Sequence, residues 1–381
     1  MNDIRFPSPL DFPDSPLSQV VRQPMITGLF LPVSSGGQSP STLPRTTSWT
    51  FDYNAALTLR AEAMGLDIVF GVGEWLSKGG YGGETGFHAQ SLDSFIAGSA
   101  LTSITKRILI VSTVHVLYGL HPLHLAKFGA TLDHISGGRW GPNVVTGHRL
   151  REHGRFGIET MEHDRRYEMA DEFTRFVAAL WGDDANLSVA GEYWKMEDAY
   201  CGLRPRFGRP IMVTATSSAA GIDYAVRHCD LVFISTPASQ DADDAIAALP
   251  ALVKRFADAA AEIGVRPPKL LINPMIVCRR TEVEALAYRE AILAGLDEGV
   301  MSGIPKERSD AHAFRGHDPR LRALGGNIHI VGNPEQVVDT IGRLKKVGID
   351  GIQMGFFDFA PDLEFFGEHV LPLMVQAGLR V

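Results

Sequence analysis

The chain has 381 residues, 45% of them apolar and 21% charged, with a formal net charge of -8. That composition excludes disorder throughout and fits a globular protein with a sizeable core, while the acidic balance and the lack of any Lys/Arg stripe argue against a nucleic-acid partner. The length admits either two average domains or one large α/β barrel, so the order of elements has to decide.

Residues 1–24 carry Asp3, Arg5, Asp11 and Asp14 among prolines without a continuous apolar run, and read as an extended arm rather than a secretory signal. From residue 25 onward, short β-rich runs alternate with longer segments of helical period. Strands are predicted at 27–33, 67–70, 108–114, 139–145, 210–214, 231–235, 270–277 and 351–354. The helices between and after them fall at 53–63, 91–103, 122–133, 166–181, 220–227, 241–263, 282–294 and 334–347. Eight such alternations predict one closed (β/α)8 TIM barrel over 25–381 rather than an open doubly wound sheet. Local grammar supports the last helix: Asn333 can cap it, Pro334 suits its first position and Gly348 can close it. Two stretches outside the repeat, 183–200 and 300–326, read as insertions of the kind that form lids or interfaces. No apolar run reaches the roughly 18 residues of a membrane span, so no membrane partner is expected. Cys201, Cys229 and Cys278 are far apart and lack C-x-x-C spacing, which suggests neither a disulfide framework nor zinc and fits a cytoplasmic protein.

The chemistry should gather where the strands end. Ile135 to Gly147 reads as a helix stop, a Gly137-Gly138 turn and a strand delivering Asn143 and Thr146 to the carboxyl-end rim, with Thr113 near the end of the preceding strand. Amide and hydroxyl groups there can hydrogen-bond a heterocycle edge or a small oxidant without adding charge; satisfying loop backbone is the alternative role. Thr216 to Gly221 follows a strand and opens a helix, so backbone N–H groups and hydroxyls converge as a phosphate site would require, although Ser218 could equally be an ordinary cap. Arg166 and Tyr167, at the start of another helix on the same rim, would add a cation and a phenol. His121 and His124 flank Pro122 at a helix start and no H-E-x-x-H is present, so no metal site is expected. The Gly79 to Phe87 loop lacks the Lys-Ser/Thr ending of a phosphate-binding loop, and with Trp75 could approach a flat ligand.

Several separated segments, in one order, resemble the flavin-dependent monooxygenases of the bacterial luciferase-like superfamily, in particular the pyrimidine and dimethylsulfone monooxygenase branch. These are Trp49 to Asn54, Gly79 to Phe95, Asp133 to Gly147, His163 to Glu168, Gly355 to Phe359 and Phe366 to Leu373. The resemblance implies a (β/α)8 barrel that takes reduced FMN (FMNH2) from a separate NAD(P)H-dependent flavin reductase and activates O2 as co-substrate. A flavin peroxide would then oxygenate and cleave a heterocycle, amide or sulfone. By position, Asn143, Glu152, Arg166, Tyr167 and Ser218 resemble the family's FMN-binding residues. Thr113 and Asn143 resemble the catalytic polar pair at the flavin edge where O2 reacts. The chain departs from the branch at Gly73-Glu74-Trp75, where a basic residue is usual, and at His148, where Trp is usual, so uracil and dimethylsulfone do not transfer as substrates. Glu74, Trp75, Tyr81, His115, His148 and Phe357 become the candidate substrate residues. A deazaflavin-dependent hydride-transfer enzyme, a non-catalytic flavin-binding protein and a flavin-degrading enzyme are the alternatives, and a homodimer or tetramer is the expected assembly.

Overall fold

The computed structural model describes residues 7–182, 185–235, 240–307, 309–310, 318–326 and 328–381. In chain order the strands are β1 (Ile26–Phe30), β2 (Ile68–Gly71), β3 (Leu109–His115), β4 (Trp140–Val145), β5 (Leu187–Ala190), β6 (Lys195–Ala199), β7 (Val213–Ala215), β8 (Leu231–Ile234), β9 (Lys269–Ile272), β10 (Pro274–Cys278), β11 (Ile328–Gly332) and β12 (Gly351–Met354). Eight of them close a barrel in the order β1-β12-β9-β8-β7-β4-β3-β2, every neighbouring pair parallel, with helices on the outside. The chain is therefore a closed (β/α)8 TIM barrel.

Alternation along each strand decides what fills the barrel. Ile26, Ile68, Leu109, Ile211, Leu231 and Leu271 point inward at the amino end, with Phe70, Val111, Val213 and Phe233 in the layer above. The N-terminal segment completes that cluster, and over residues 7–24 the expectation of an extended arm is corrected; residues 1–6 lie outside the described residues. Ser15 caps a short helix Pro16–Val20, with Pro16 at its first position, and Leu17 and Val20 close the floor of the barrel. The polar groups at this end are paired: Asp67 accepts from Thr27 N at 2.7 Å and is bridged by Arg380.

One further feature differs from the sequence reading. The run 270–277 is one hydrophobic stretch, but it breaks at Asn273: β9 stays in the barrel and β10 leaves to pair in parallel with β11, which the sequence reading missed. Within 183–200, β5 and β6 form an antiparallel hairpin; residues 183 and 184 lie outside the described residues. Of 300–326, the described parts are the end of helix Glu298–Gly303, the 3-10 turn Ile304–Glu307, residues 309–310, and 318–326 with the 3-10 turn Pro319–Leu324.

The segment before β4 shows how sequence places chemistry. Helix Pro122–Ser136 stops at Gly137, whose φ of 69° is left-handed, and a side chain at Gly138 would strike Phe207. Arg139 then buries its guanidinium in four hydrogen bonds, to Thr105 Oγ1 and to the carbonyls of Thr102, Thr105 and Ile108, at 2.8–3.0 Å. This clamp holds β4 beside β3 in the register that sets Thr113 opposite Asn143.

Candidate active site

A cavity of about 1140 Å³ opens at the carboxyl ends of the barrel strands. Its floor is aromatic: Phe70 stacks on Phe233 at 4.8 Å and meets Phe30 edge-on at 4.9 Å. Above that floor Thr113 and Asn143 form a directed pair. The Thr113 hydroxyl donates to the Gly71 carbonyl at 3.1 Å, so its oxygen can only accept, and it accepts from Asn143 Nδ2 at 3.3 Å. That fixes the amide orientation and leaves Asn143 Oδ1 at the cavity wall without a hydrogen-bond partner among the described residues. Asn143 is 2% exposed, so this orphaned acceptor is costly unless a ligand supplies a donor.

On one side of this pair the wall is built for an anion. Ser218 caps helix Ala219–His228 by accepting from Gly221 N at 3.2 Å, and the helix start faces the cavity. Tyr167 donates to Thr216 Oγ1 at 3.0 Å, and burial raises its phenol above the usual range, keeping it a neutral donor. Arg255, which reaches the Ser217 carbonyl at 3.4 Å, also lines this side and carried no signal in the sequence. Arg166 lines the wall and is 1% exposed, pairing through Nη2 with Asp310 at 2.6 Å.

On the other side stand Glu74, His88, His115, His148 and Arg149. Glu74 meets Arg149 at 2.6 Å and His88 at 2.5 Å; burial pushes its carboxyl up, but those two neighbours outweigh burial and hold it well below the usual carboxylate range. His115 lies on β3 two residues beyond Thr113, one layer above it on the same face. Burial and then Arg149 push its imidazole down to about 3, so it is neutral and offers hydrogen bonds without charge. His148 is open to the cavity and enclosed by protein elsewhere; that enclosure, with Arg149, also holds it neutral, and Nδ1 meets Ser309 Oγ at 2.8 Å.

Four expected site residues lie outside the cavity lining. Glu152 is buried behind it, accepting from Trp75 N at 3.0 Å, Tyr118 Oη at 2.8 Å and Arg149 Nη1 at 3.3 Å. It is a hub that orders the rim. Trp75 is 42% exposed and braces Phe156 edge-on; Phe156 stacks on Tyr118 at 4.4 Å, and Tyr118 on His115 at 4.8 Å. Tyr81 sits under Arg149, 5.9 Å from the guanidinium to the ring centre. Phe357 is 1% exposed in a separate cluster with Met275, Val277, Ile292 and Leu324, beneath Arg45. Its position after β12 looked like a rim, but the chain has already turned outward there.

Sequence reasoning missed Gln38, His88, Arg149, Asn273 and Asp310, all of which line the cavity. Arg149 directly follows His148, so its place on the rim is legible from the strand before it; Gln38 and Asp310 arrive on segments with no period to read. His121 caps its helix and His124 stacks on Phe128, and among the described residues no three His, Cys, Asp or Glu side chains gather for a metal. A second cavity of about 680 Å³ lies at the outer wall, but its charged groups are already paired, Arg209 with Asp230 and His228 with Asp171.

Comparison with known proteins agrees with this geometry. Residues 25–351 match the family model described as luciferase-like monooxygenase. The chain is 30% identical over 367 residues to the pyrimidine monooxygenase RutA of Enterobacter sp. (strain 638), covering 92% of this chain and 96% of that one. It is 29% identical over 365 residues to the FMNH(2)-dependent dimethylsulfone monooxygenase of Pseudomonas putida, again 92% and 96%. Among solved structures, riboflavin lyase RcaE with modified FMN and riboflavin superposes with a TM-score of 0.79 at 23% identity, covering 94% of this chain and 92% of that chain, a likeness of fold. The chain belongs to the luciferase-like monooxygenase family.

Proposed function

We infer that this enzyme is a two-component monooxygenase that receives reduced FMN from a separate NAD(P)H-dependent flavin reductase and uses O2 to oxygenate a small heterocycle, amide or sulfone. The observation that carries the reading is Asn143 Oδ1, a buried acceptor locked in orientation and lacking a donor among the described residues. Reduced FMN carries a hydrogen on N5 and oxidised FMN does not, so a lone acceptor favours the reduced form.

The remaining residues fit FMN as well. The helix start at Ser218, the Tyr167 phenol and the Nε and Nη1 of Arg166, unpartnered among the described residues, suit a phosphate monoester, and the aromatic floor suits a flat ring. When bound, reduced FMN supplies the electrons that activate O2. The protein's share would be positioning and exclusion: Thr113 and Asn143 would hold a polar edge of the ring, and Phe30, Phe70 and Phe233 would exclude water from the cavity floor. Glu74, His115 and His148, joined by Arg149 and His88, face the substrate; Glu152, Trp75 and Tyr81 order that wall from behind, and Phe357 is structural.

The test is oxygen uptake with reduced FMN and a panel of heterocycles and sulfones. With a true substrate, Thr113→Val and Asn143→Leu are expected to divert O2 into hydrogen peroxide while still binding FMN; full coupling in both variants would remove their role.

A homodimer or tetramer belongs to this reading. Helix Ser94–Ile104 has no charged residue and exposes Ile96, and the adjoining helix Pro122–Ser136 exposes Phe128 and Ile135. A monomer in sedimentation at micromolar concentration would remove that part. A cytoplasmic location is supported by three free, buried cysteines; no helix among the described residues is long and apolar enough to cross a membrane.

A further inference from the structure

Arg166 is poorly satisfied for a buried guanidinium. Its side chain is 1% exposed, yet only Nη2 is engaged, by one oxygen of Asp310 at 2.6 Å, and Nε and Nη1 have no hydrogen-bond partner among the described residues. The second oxygen of Asp310 is also unpartnered, so the pair is single-pronged where an Arg–carboxylate contact is commonly a two-pronged fork. His153 lies within electrostatic reach of both, is 0% exposed, and has neither ring nitrogen hydrogen-bonded among the described residues. Unmade hydrogen bonds on this scale are expensive.

The two partners are unequally held. Asp310 is 29% exposed against 1% for Arg166, so the carboxylate is the one that can leave. Residues 309–310 are docked on the substrate wall: Ser309 bridges Arg149, Asp310 N donates to the His148 carbonyl at 3.1 Å, and Ser309 Oγ meets His148 Nδ1 at 2.8 Å.

We propose that Asp310 is a built-in occupant of an oxyanion site on Arg166, exchanged for the phosphate of the incoming cofactor, and that the exchange releases residues 309–310 from His148. A phosphate monoester brings three terminal oxygens to N–H groups of which Asp310 satisfies one, so the exchange completes the hydrogen bonding of Arg166. Because the same short segment holds His148, filling the anion site reshapes the wall that faces substrate. This rests on the FMN reading above.

The experiment compares wild type and Asp310→Asn for equilibrium binding of FMN, riboflavin and inorganic phosphate, with hydrogen exchange at the Asp310 amide as a second readout. Removing the competing charge should tighten FMN and phosphate by roughly tenfold or more, the scale of one charge-assisted hydrogen bond, and leave riboflavin within about twofold. FMN, but not riboflavin, should accelerate exchange at the Asp310 amide in the wild type. Equal shifts for FMN and riboflavin, or weaker FMN binding in Asp310→Asn, would overturn the exchange and make Asp310 a fixed support for Arg166. Tightening of phosphate alone would overturn the assignment to the cofactor and hand the site to an oxyanion of the substrate. Failure of the wild type to bind either flavin in any redox state would remove the FMN reading and this proposal together, whereas the other outcomes touch only this one.

Discussion

The two ends of the barrel solve opposite problems with the same alternation. At the amino end the inward side chains are aliphatic, the N-terminal helix seals them with Leu17 and Val20, and Asp67 and Arg139 have their hydrogen bonds made within the chain. At the carboxyl end the same strands present Thr113, Asn143, His115 and Asn273, and buried polar atoms on Asn143, Arg166, Gln38 and Asn273 are left without partners among the described residues. Unpartnered buried atoms also occur elsewhere, on Asp133 and Gln353, but those on Asn143, Arg166, Gln38 and Asn273 gather around one cavity, which marks where a ligand completes the structure.

The comparison breaks most visibly at the closed end. Arg380→Ala should destabilise by about 3–5 kcal/mol, because it strands a buried carboxylate. Burial already pushes Asp67 up even beside Arg380, so the intact pair contributes little while a broken one costs much. Leu17→Ala should cost about 2–5 kcal/mol by opening the floor. In chemical denaturation both variants should lower the midpoint, yet the folded protein should retain its preference between reduced and oxidised FMN; a changed preference would show that the ends are not separable.

At the open end the pattern reverses. Arg166→Met should weaken FMN by about 10- to 100-fold, the scale of charge-assisted hydrogen bonds to phosphate, with a much smaller effect on unfolding. Unchanged FMN affinity in calorimetry would take Arg166 out of the cofactor site.

The smallest effect concerns His115. Its folded pKa, about 3, lies below the unfolded value of about 6.5, so the unfolded chain binds the extra proton between them. Stability from this group is complete above the unfolded pKa and is lost as pH falls toward the folded one, by at most about 1.4 kcal/mol per pH unit. Glu74 adds a loss of the same sign only at lower pH, where its carboxylate would begin to protonate in the unfolded chain. His148, likewise held at about 3, contributes a slope of the same sign in this window, so His115→Phe should reduce the slope between about pH 4.5 and 6.5 without abolishing it; an unaltered slope would show that His115 titrates freely.

How much of this was legible follows from period and register. The barrel was readable because each strand alternates and each helix has its own grammar, and Thr113 and Asn143 were readable because neighbouring parallel strands in register must bring them together. The break at Asn273 was hidden inside a continuous apolar run whose second half pairs with a strand 50 or so residues away, a partner that local pattern does not name. Ser15 and Pro16 carried a helix start that the surrounding prolines obscured. Glu152 was placed on the right rim, but its three donors turn it away from the cavity, and Phe357 shows that an aromatic residue after a strand can belong to packing behind the barrel. Asp310 and Gln38 reach the site on irregular segments, where no period or register signals proximity.

The most direct test of the central claim is an anaerobic titration of the purified protein with reduced FMN beside oxidised FMN, repeated with Asn143→Leu. Tighter binding of the reduced form by the wild type, diminished in the variant, is the predicted result. Equal binding of both forms, or no binding of reduced FMN, would contradict an active site built around a lone acceptor at Asn143.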